Sequence, residues 1–243
     1  MSKDQPAPTV EVTENAPAVA QNTAIAIPSR SERAANLAKR VQAASNIIKI
    51  SKDGQGFSIP GIGDTGGPMD VVILDFVAKN VYYDPSVPYD PDKITPPICG
   101  ALGFDVNDNL IPLEDAPQKQ YDNCKECPMN EFGSKGKGKA CQNRRMVAIL
   151  PPDADETTDV MVMDISATGL KGFDTVIAQM ATVAGKEPHH FVVKAFPKQA
   201  GNTAQKTIGF GEVRPMEAER VAFFEEKIDQ ASAMLAQPIR FEV

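Results

Sequence analysis

The chain has 243 residues but no tryptophan, only two histidines and four cysteines, and aromatic residues make up 6% of it. Each scarcity excludes something. With so few rings, any platform for stacking nucleobases must be small. With His189 and His190 as the sole imidazoles, activation of a nucleophile has few candidates, and no GxSxG elbow or cysteine outside the main cluster offers itself. A hydrolase cannot be assembled from this inventory, so a non-enzymatic protein is expected. No segment approaches the roughly 20 apolar residues needed to span a bilayer. The opening MSKDQPAPTVEVTENAPAV lacks the charged-then-apolar order of a secretory signal. A cytoplasmic location without a membrane partner is expected.

What the chain does have is a concentrated cysteine pattern. Three of the four cysteines fall in NCKECPMNEFGSKGKGKACQNRR, as Cys124, Cys127 and Cys141, and Cys99 lies upstream. Two thiolates separated by two residues can face one ion across a tight turn. A glycine- and lysine-rich loop then brings back a third. In a reducing compartment such spacing points to metal ligation before disulfides. Zinc held by Cys99, Cys124, Cys127 and Cys141 is the first reading, and an iron–sulfur cluster on the same four thiolates is the other. Four thiolates close a tetrahedral site, so the metal would be structural. One of the histidines could replace Cys99 as the fourth ligand. Otherwise His189 and His190 are expected as a surface pair near an anion path, at the start of a strand and pointing to opposite faces.

Charge is unevenly distributed. The net charge is −7, yet residues 30–60 and 124–150 are net basic and the stretches around them acidic. Lys135, Lys137, Lys139, Arg144 and Arg145 crowd the cysteine region, and Lys49 and Lys52 offer a second basic edge. An acidic bulk with local basic segments suits a protein that must release a polyanion as well as bind it. The sequence GSKGKGKAC lacks the spacing of a phosphate-binding P-loop, but its glycines leave backbone N–H groups beside lysines. For stacking, Phe132 lies among charged and glycine residues. Tyr82, Tyr83 and Tyr89 flank a proline-rich loop, and strand alternation turns either Tyr82 or Tyr83 outward. Phe191, Phe196 and Phe210 lie on late strands.

Residues 1–29 lack apolar periodicity and are expected as a disordered tail. From 30 to 243 a single domain is expected, with the cysteine knuckle inserted at about 99–145. A helix capped at Ser31 should run into a strand. Strands are expected at FSIPGIG, MDVVILDFVAKNVYY, ICGALGF, RRMVAILPP and VMVMDIS, with Val71–Leu74 buried on both faces. The segment GFDTVIAQMATVAG should form a helix with Phe173, Ile177, Met180 and Ala184 inward. HHFVVKAFP and QKTIGFGEV should pair as a hairpin. Val221, Phe224, Ile228, Ala231 and Leu235 mark one long C-terminal helix. The fold class is α+β, mostly β with helical additions, and a partly open barrel of the oligonucleotide-binding type is the simplest architecture.

The segments PPICGALGF, CKECPMNEFGSKGKGKACQNRR and DISATGLKGFDTVIAQM, in this order, resemble a group of bacteriophage proteins encoded among DNA-replication functions. The resemblance covers roughly residues 95–200 and is most specific in the knuckle. It implies a zinc-containing, phage-encoded single-stranded-DNA-binding protein with a barrel fold, acting in the host cytoplasm in replication or recombination. By that likeness the four cysteines would be zinc ligands, and Lys135, Lys137, Lys139, Arg144 and Arg145 would face DNA, with replication proteins as further partners. The other reading is a zinc-stapled interaction or regulatory module that binds another protein and no nucleic acid.

Overall fold

The computed structural model describes residues 46–88, 90, 95–104, 110–183, 185–201 and 204–241. The expected N-terminal tail, the helix expected from Ser31, Tyr89 and Ala184 lie outside them. The described residues all belong to one unit, Gln42–Val243.

Among the described residues, β-branched and apolar runs build nine strands in one sheet: β1 (Ile47–Ile50), β2 (Phe57–Ile59), β3 (Gly63–Asp64), β4 (Met69–Tyr82), β5 (Cys99–Gly103), β6 (Gln142–Leu150), β7 (Met161–Ile165), β8 (Phe191–Gln199) and β9 (Lys206–Pro215). Their order is β3-β2-β1-β7-β6-β4-β8-β9, with β5 also on β4. The pairs are antiparallel except β1 with β7, which is parallel. β4 organises the whole. One of its edges carries β6; the other carries β8 at Met69–Val71 and β5 at Ala78–Tyr82. Register shifts by one between Ile73 and Asp75, a bulge that helps a long strand follow a bend.

Both faces of β4 are buried, as the Val71–Leu74 run predicts. Val71 and Ile73 enter one core cluster, and Val72, Leu74 and Val77 enter a second on the opposite face. The first cluster joins residues from strands far apart in the sheet, Ile48 and Phe57 with Ile208 and Phe210. The sheet therefore curls strongly toward this inner face into a half-barrel. Helix α1 (Ala167–Ala178) fills it, inserting Phe173 and Val176, with Phe173 edge-on to Phe76 and Phe210 at centroid distances of 5.1 and 5.4 Å. Gly169 allows the helix to sit this close, since a Cβ there would lie 2.8 Å from the Thr207 hydroxyl and 2.9 Å from the Ile208 carbonyl oxygen. Each large side chain so buried contributes roughly 1.5–3 kcal/mol relative to exposure.

The outer face is covered by α2 (Ala218–Glu226) and α3 (Ile228–Leu235), through Phe224, Ala231 and Leu235. The single C-terminal helix expected from the 3-4 spacing is in fact two, divided at Lys227. The spacing survives the break because both pieces put the same stripe on the sheet, while Val221 and Ile228 are only half-buried. Among the described residues, no helix is long and apolar enough to cross a membrane.

Candidate metal and nucleic-acid site

Along β4 the residues beyond the bulge alternate strictly. Ala78, Asn80 and Tyr82 face inward, while Val77 and Lys79 face outward, and Tyr83 follows just past the strand's end. The cysteine region folds over the inward set. Cys99 begins β5 directly opposite Tyr82 in the register, and Cys141 immediately precedes β6. Cys124 packs with Ala78, Ala101 and Leu110, and Cys99 and Cys141 pack with Tyr82. All four cysteines are buried and unbridged.

Between Leu110 and Cys141 the chain has one 3₁₀ turn, Pro128–Asn130, and otherwise holds itself by polar contacts. The Cys124 N–H donates to the Leu110 carbonyl at 2.9 Å, and the Cys141 N–H donates to the Met129 carbonyl at 2.8 Å. The Asn123 carboxamide oxygen accepts the Glu126 N–H at 2.8 Å, which tightens the turn between Cys124 and Cys127. Asn130 Nδ2 donates to the Cys124 carbonyl at 2.6 Å. The Ser134 hydroxyl donates to the Glu131 carbonyl and accepts the Ala140 N–H, clamping the neck of the basic loop. Beyond that neck, Lys135 and Gly138 pair across a tight turn, with Gly136 at φ 59°. Sequence reading passed over Asn80, Asn130 and Ser134. An Asn three residues after CxxC and a Ser within the glycine run were the available signals.

Cys99, Cys124, Cys127 and Cys141 line a single small cavity with Asn80, Tyr82 and Met129. Its volume is about 10 Å³, comparable to the space one water or small ion occupies. Burial pushes the Cys141 thiol up to about 12, and neighbouring Cys124, Cys127 and Cys99 add to the rise while Lys139 opposes it. Burial also raises Cys124, against a hydrogen bond from Asn80. Cys124 and Cys141 thus feel the neighbouring thiols and resist ionising. Among the described residues, no group of three or more His, Cys, Asp or Glu side chains is arranged so that it could hold a metal ion as it stands.

The candidate cations divide by place. Lys135, Lys137 and Lys139 are exposed on the loop, and Phe132 beside them is 81% exposed. Lys139 Nζ reaches back to Asn130 Oδ1 at 3.2 Å. Arg144 and Arg145 are consecutive on β6 and therefore face opposite sides. Arg144 points outward and donates from Nε to Asp164 Oδ1 at 2.6 Å, whereas Arg145 points inward with its Nε buried. Lys49 is exposed on β1 and Lys52 in the turn that follows. Tyr82 is buried against the cysteines, so the outward ring is Tyr83. Phe191 and Phe210 are core residues and Phe196 is half-buried.

The histidines are not where their position beside a strand suggested. They occupy a 3₁₀ turn, Pro188–His190, before β8, and their rings lie 4.3 Å apart instead of on opposite faces. Proline at the first position of that turn bends the chain before alternation can begin. His189 is 2% exposed, not a surface residue, and is set against β4 and α2. The fourth cysteine at the cavity is Cys99. Compared with known proteins, the chain matches no family, no curated protein and no solved structure.

Proposed function

We propose that this chain is a non-enzymatic single-stranded-DNA-binding protein of bacteriophage replication or recombination, with a barrel of the oligonucleotide-binding type carrying a zinc-stapled basic loop. One observation carries the reading: a loop presenting Lys135, Lys137, Lys139 and Phe132 to solvent has both ends anchored in a cluster of four buried cysteines. The lysines would neutralise phosphates and release counterions, giving affinity without regard to sequence. The Phe132 ring would stack on a base, a contact worth roughly 1–3 kcal/mol.

Cys99, Cys124, Cys127 and Cys141 are a chemically suitable set for zinc. Free thiols pack as small apolar groups, whereas thiolates bind a zinc ion at about 2.3 Å. The raised Cys124 and Cys141 thiols supply a reason for coupling metal to folding, since burial disfavours their ionised forms until a cation offsets the charge. When bound, zinc supplies a rigid closed node and no open coordination position. Asn130 and Ser134 then hold the loop in one shape.

The test is fluorescence anisotropy of labelled oligo-dT across a salt series. The Lys135→Gln, Lys137→Gln, Lys139→Gln triple variant should weaken binding to all sequences and flatten the log–log salt slope by about 0.7 per lysine. A zinc-stapled protein-interaction module is the second reading, favoured by the apolar exposure of Phe132, Ile111 and Tyr121 in the same region. A triple variant that binds strands as tightly as the parent would leave that second reading standing in place of the first.

A further inference from the structure

The outward face of β4 carries a group of cations separate from the cysteine loop. Lys79 and Arg144 are direct cross-strand partners in the β4–β6 register, and both point outward. Like charges placed opposite each other destabilise a sheet. One carboxylate relieves this pair: Arg144 Nε lies 2.6 Å from Asp164 Oδ1, and Lys79 Nζ lies 3.6 Å from Asp164 Oδ2. All three side chains are largely sheltered, at 19%, 25% and 21% exposure for Lys79, Arg144 and Asp164. The β1–β7 register, extended one residue past Ile48↔Met163, brings Lys49 alongside Asp164. Tyr83, four residues on from Lys79 and 36% exposed, senses the charges of both Arg144 and Asp164.

Two cations therefore share one carboxylate, with Lys49 on the neighbouring strand, on a patch that also presents an accessible ring. Arg144 spends Nε on Asp164 and Nη1 on Gln142 at 3.3 Å, two of the five donors of a guanidinium. A tetrahedral phosphate satisfies such a group better than a single carboxylate, because it offers more acceptor oxygens to forked and ammonium donors together. We propose that Lys79 and Arg144 form a phosphate site for a single strand on the outer face, with Tyr83 stacking an adjacent base and Asp164 acting as a built-in competitor for the two cations. This rests on the strand-binding reading above and adds a second contact region, on the face of β4 opposite the cysteines. The competitor offsets part of the positive charge in the absence of a strand and lowers the cost of releasing one.

Oligo-dT anisotropy on the full chain tests this with Asp164→Asn, Lys79→Gln and Tyr83→Leu, each checked for an unchanged unfolding transition. Asp164→Asn should tighten binding several-fold, a gain that a purely structural carboxylate would not produce on removal. Lys79→Gln and Tyr83→Leu leave the Arg144–Asp164 contact intact, so they report even if Asp164→Asn folds poorly. Each should weaken binding by about tenfold, and Lys79→Gln should flatten the salt slope by about 0.7. If the parent binds and these variants bind as it does, the outer site is wrong and the loop reading survives. If the parent binds no strand under any salt condition, both fall together.

Discussion

The half-barrel and the cysteine loop are stabilised in opposite ways. The half-barrel buries Phe57, Ile73, Ile149, Met163, Ile165 and Phe173 almost completely, and this apolar core together with the strand ladders accounts for its order. The span from Leu110 to Cys141 has little to bury beyond Leu110, Ala116 and its own cysteines. Roughly 30 residues without regular strands are unusual inside a compact domain, and such a segment needs another source of stability. Backbone-to-side-chain hydrogen bonds at Asn123, Asn130 and Ser134 set its turns, but each contributes only about 1 kcal/mol. The contrast suggests a division to test: a sheet held by its own core, and a loop whose order would rest on the metal proposed for its four thiols.

The comparison breaks most visibly at Phe173. Its replacement by Ala should cost about 3–5 kcal/mol through lost burial and a cavity facing Phe76 and Phe210. Urea unfolding would show it as one cooperative loss across the sheet. On the zinc proposal, treatment with a strong chelator, or changing Cys124 to Ser, should act locally instead. Hydrogen exchange and proteolysis should then increase between residues 110 and 141, while β4, β6 and β7 keep their protection. Equal loss of protection in the sheet would mean the two regions are one cooperative unit. No change in the loop would remove the case for a metal staple.

The same division governs what could be read in advance. Strands β4, β6, β7, β8 and β9 are legible because Val, Ile and Met runs bounded by glycine or proline leave little choice of conformation. The four cysteines are legible from spacing, and they do come together at one cavity. The direction of charged side chains was not legible. Arg144 and Arg145 form one basic dipeptide in the sequence, but period-2 alternation separates them, and Asp164, twenty residues away, claims the outward one. Tyr82 and Tyr83 were ambiguous for the same reason until the phase of β4 was known. The break at Lys227 was hidden because both short helices preserve the apolar spacing of one long helix.

Acid should weaken the half-barrel through a group distant from the loop. Burial, followed by the charge of His190, lowers His189 from its ordinary value near 6.5, while Glu187 and Glu225 push the other way. The unfolded chain therefore gains a proton at His189 that the folded chain resists. The resulting contribution is complete above the ordinary histidine value and is lost as pH falls from there through the lowered folded value. Thermal midpoints should drop as pH falls below about 6.5 and toward the lowered folded value, and His189→Gln should flatten that part of the profile. An unchanged pH dependence in the variant would exclude His189 as the source.

The smallest effects should come from backbone conformation, and the two regions should answer with opposite signs. The loop assigns its left-handed positions to Gly133 and Gly136, at φ 99° and 59°, and nothing lies within 4 Å of where a Cβ would stand at either. Gly136→Ala should thus cost only the conformational penalty, about 1–2 kcal/mol, and it should register in the loop. In the sheet, Glu212 takes φ 48° at the irregularity where β8 and β9 shift register, and it pairs with Lys194. Glu212→Gly removes the strain and also removes an exposed ion pair, which is worth about 0–1 kcal/mol. The strain relief is of the order of 1 kcal/mol, so the net change should be neutral to slightly stabilising. Chemical denaturation of the two variants measures both. A clear loss of stability in Glu212→Gly would show that the Lys194 pair, and not the β9 backbone, fixes the register there.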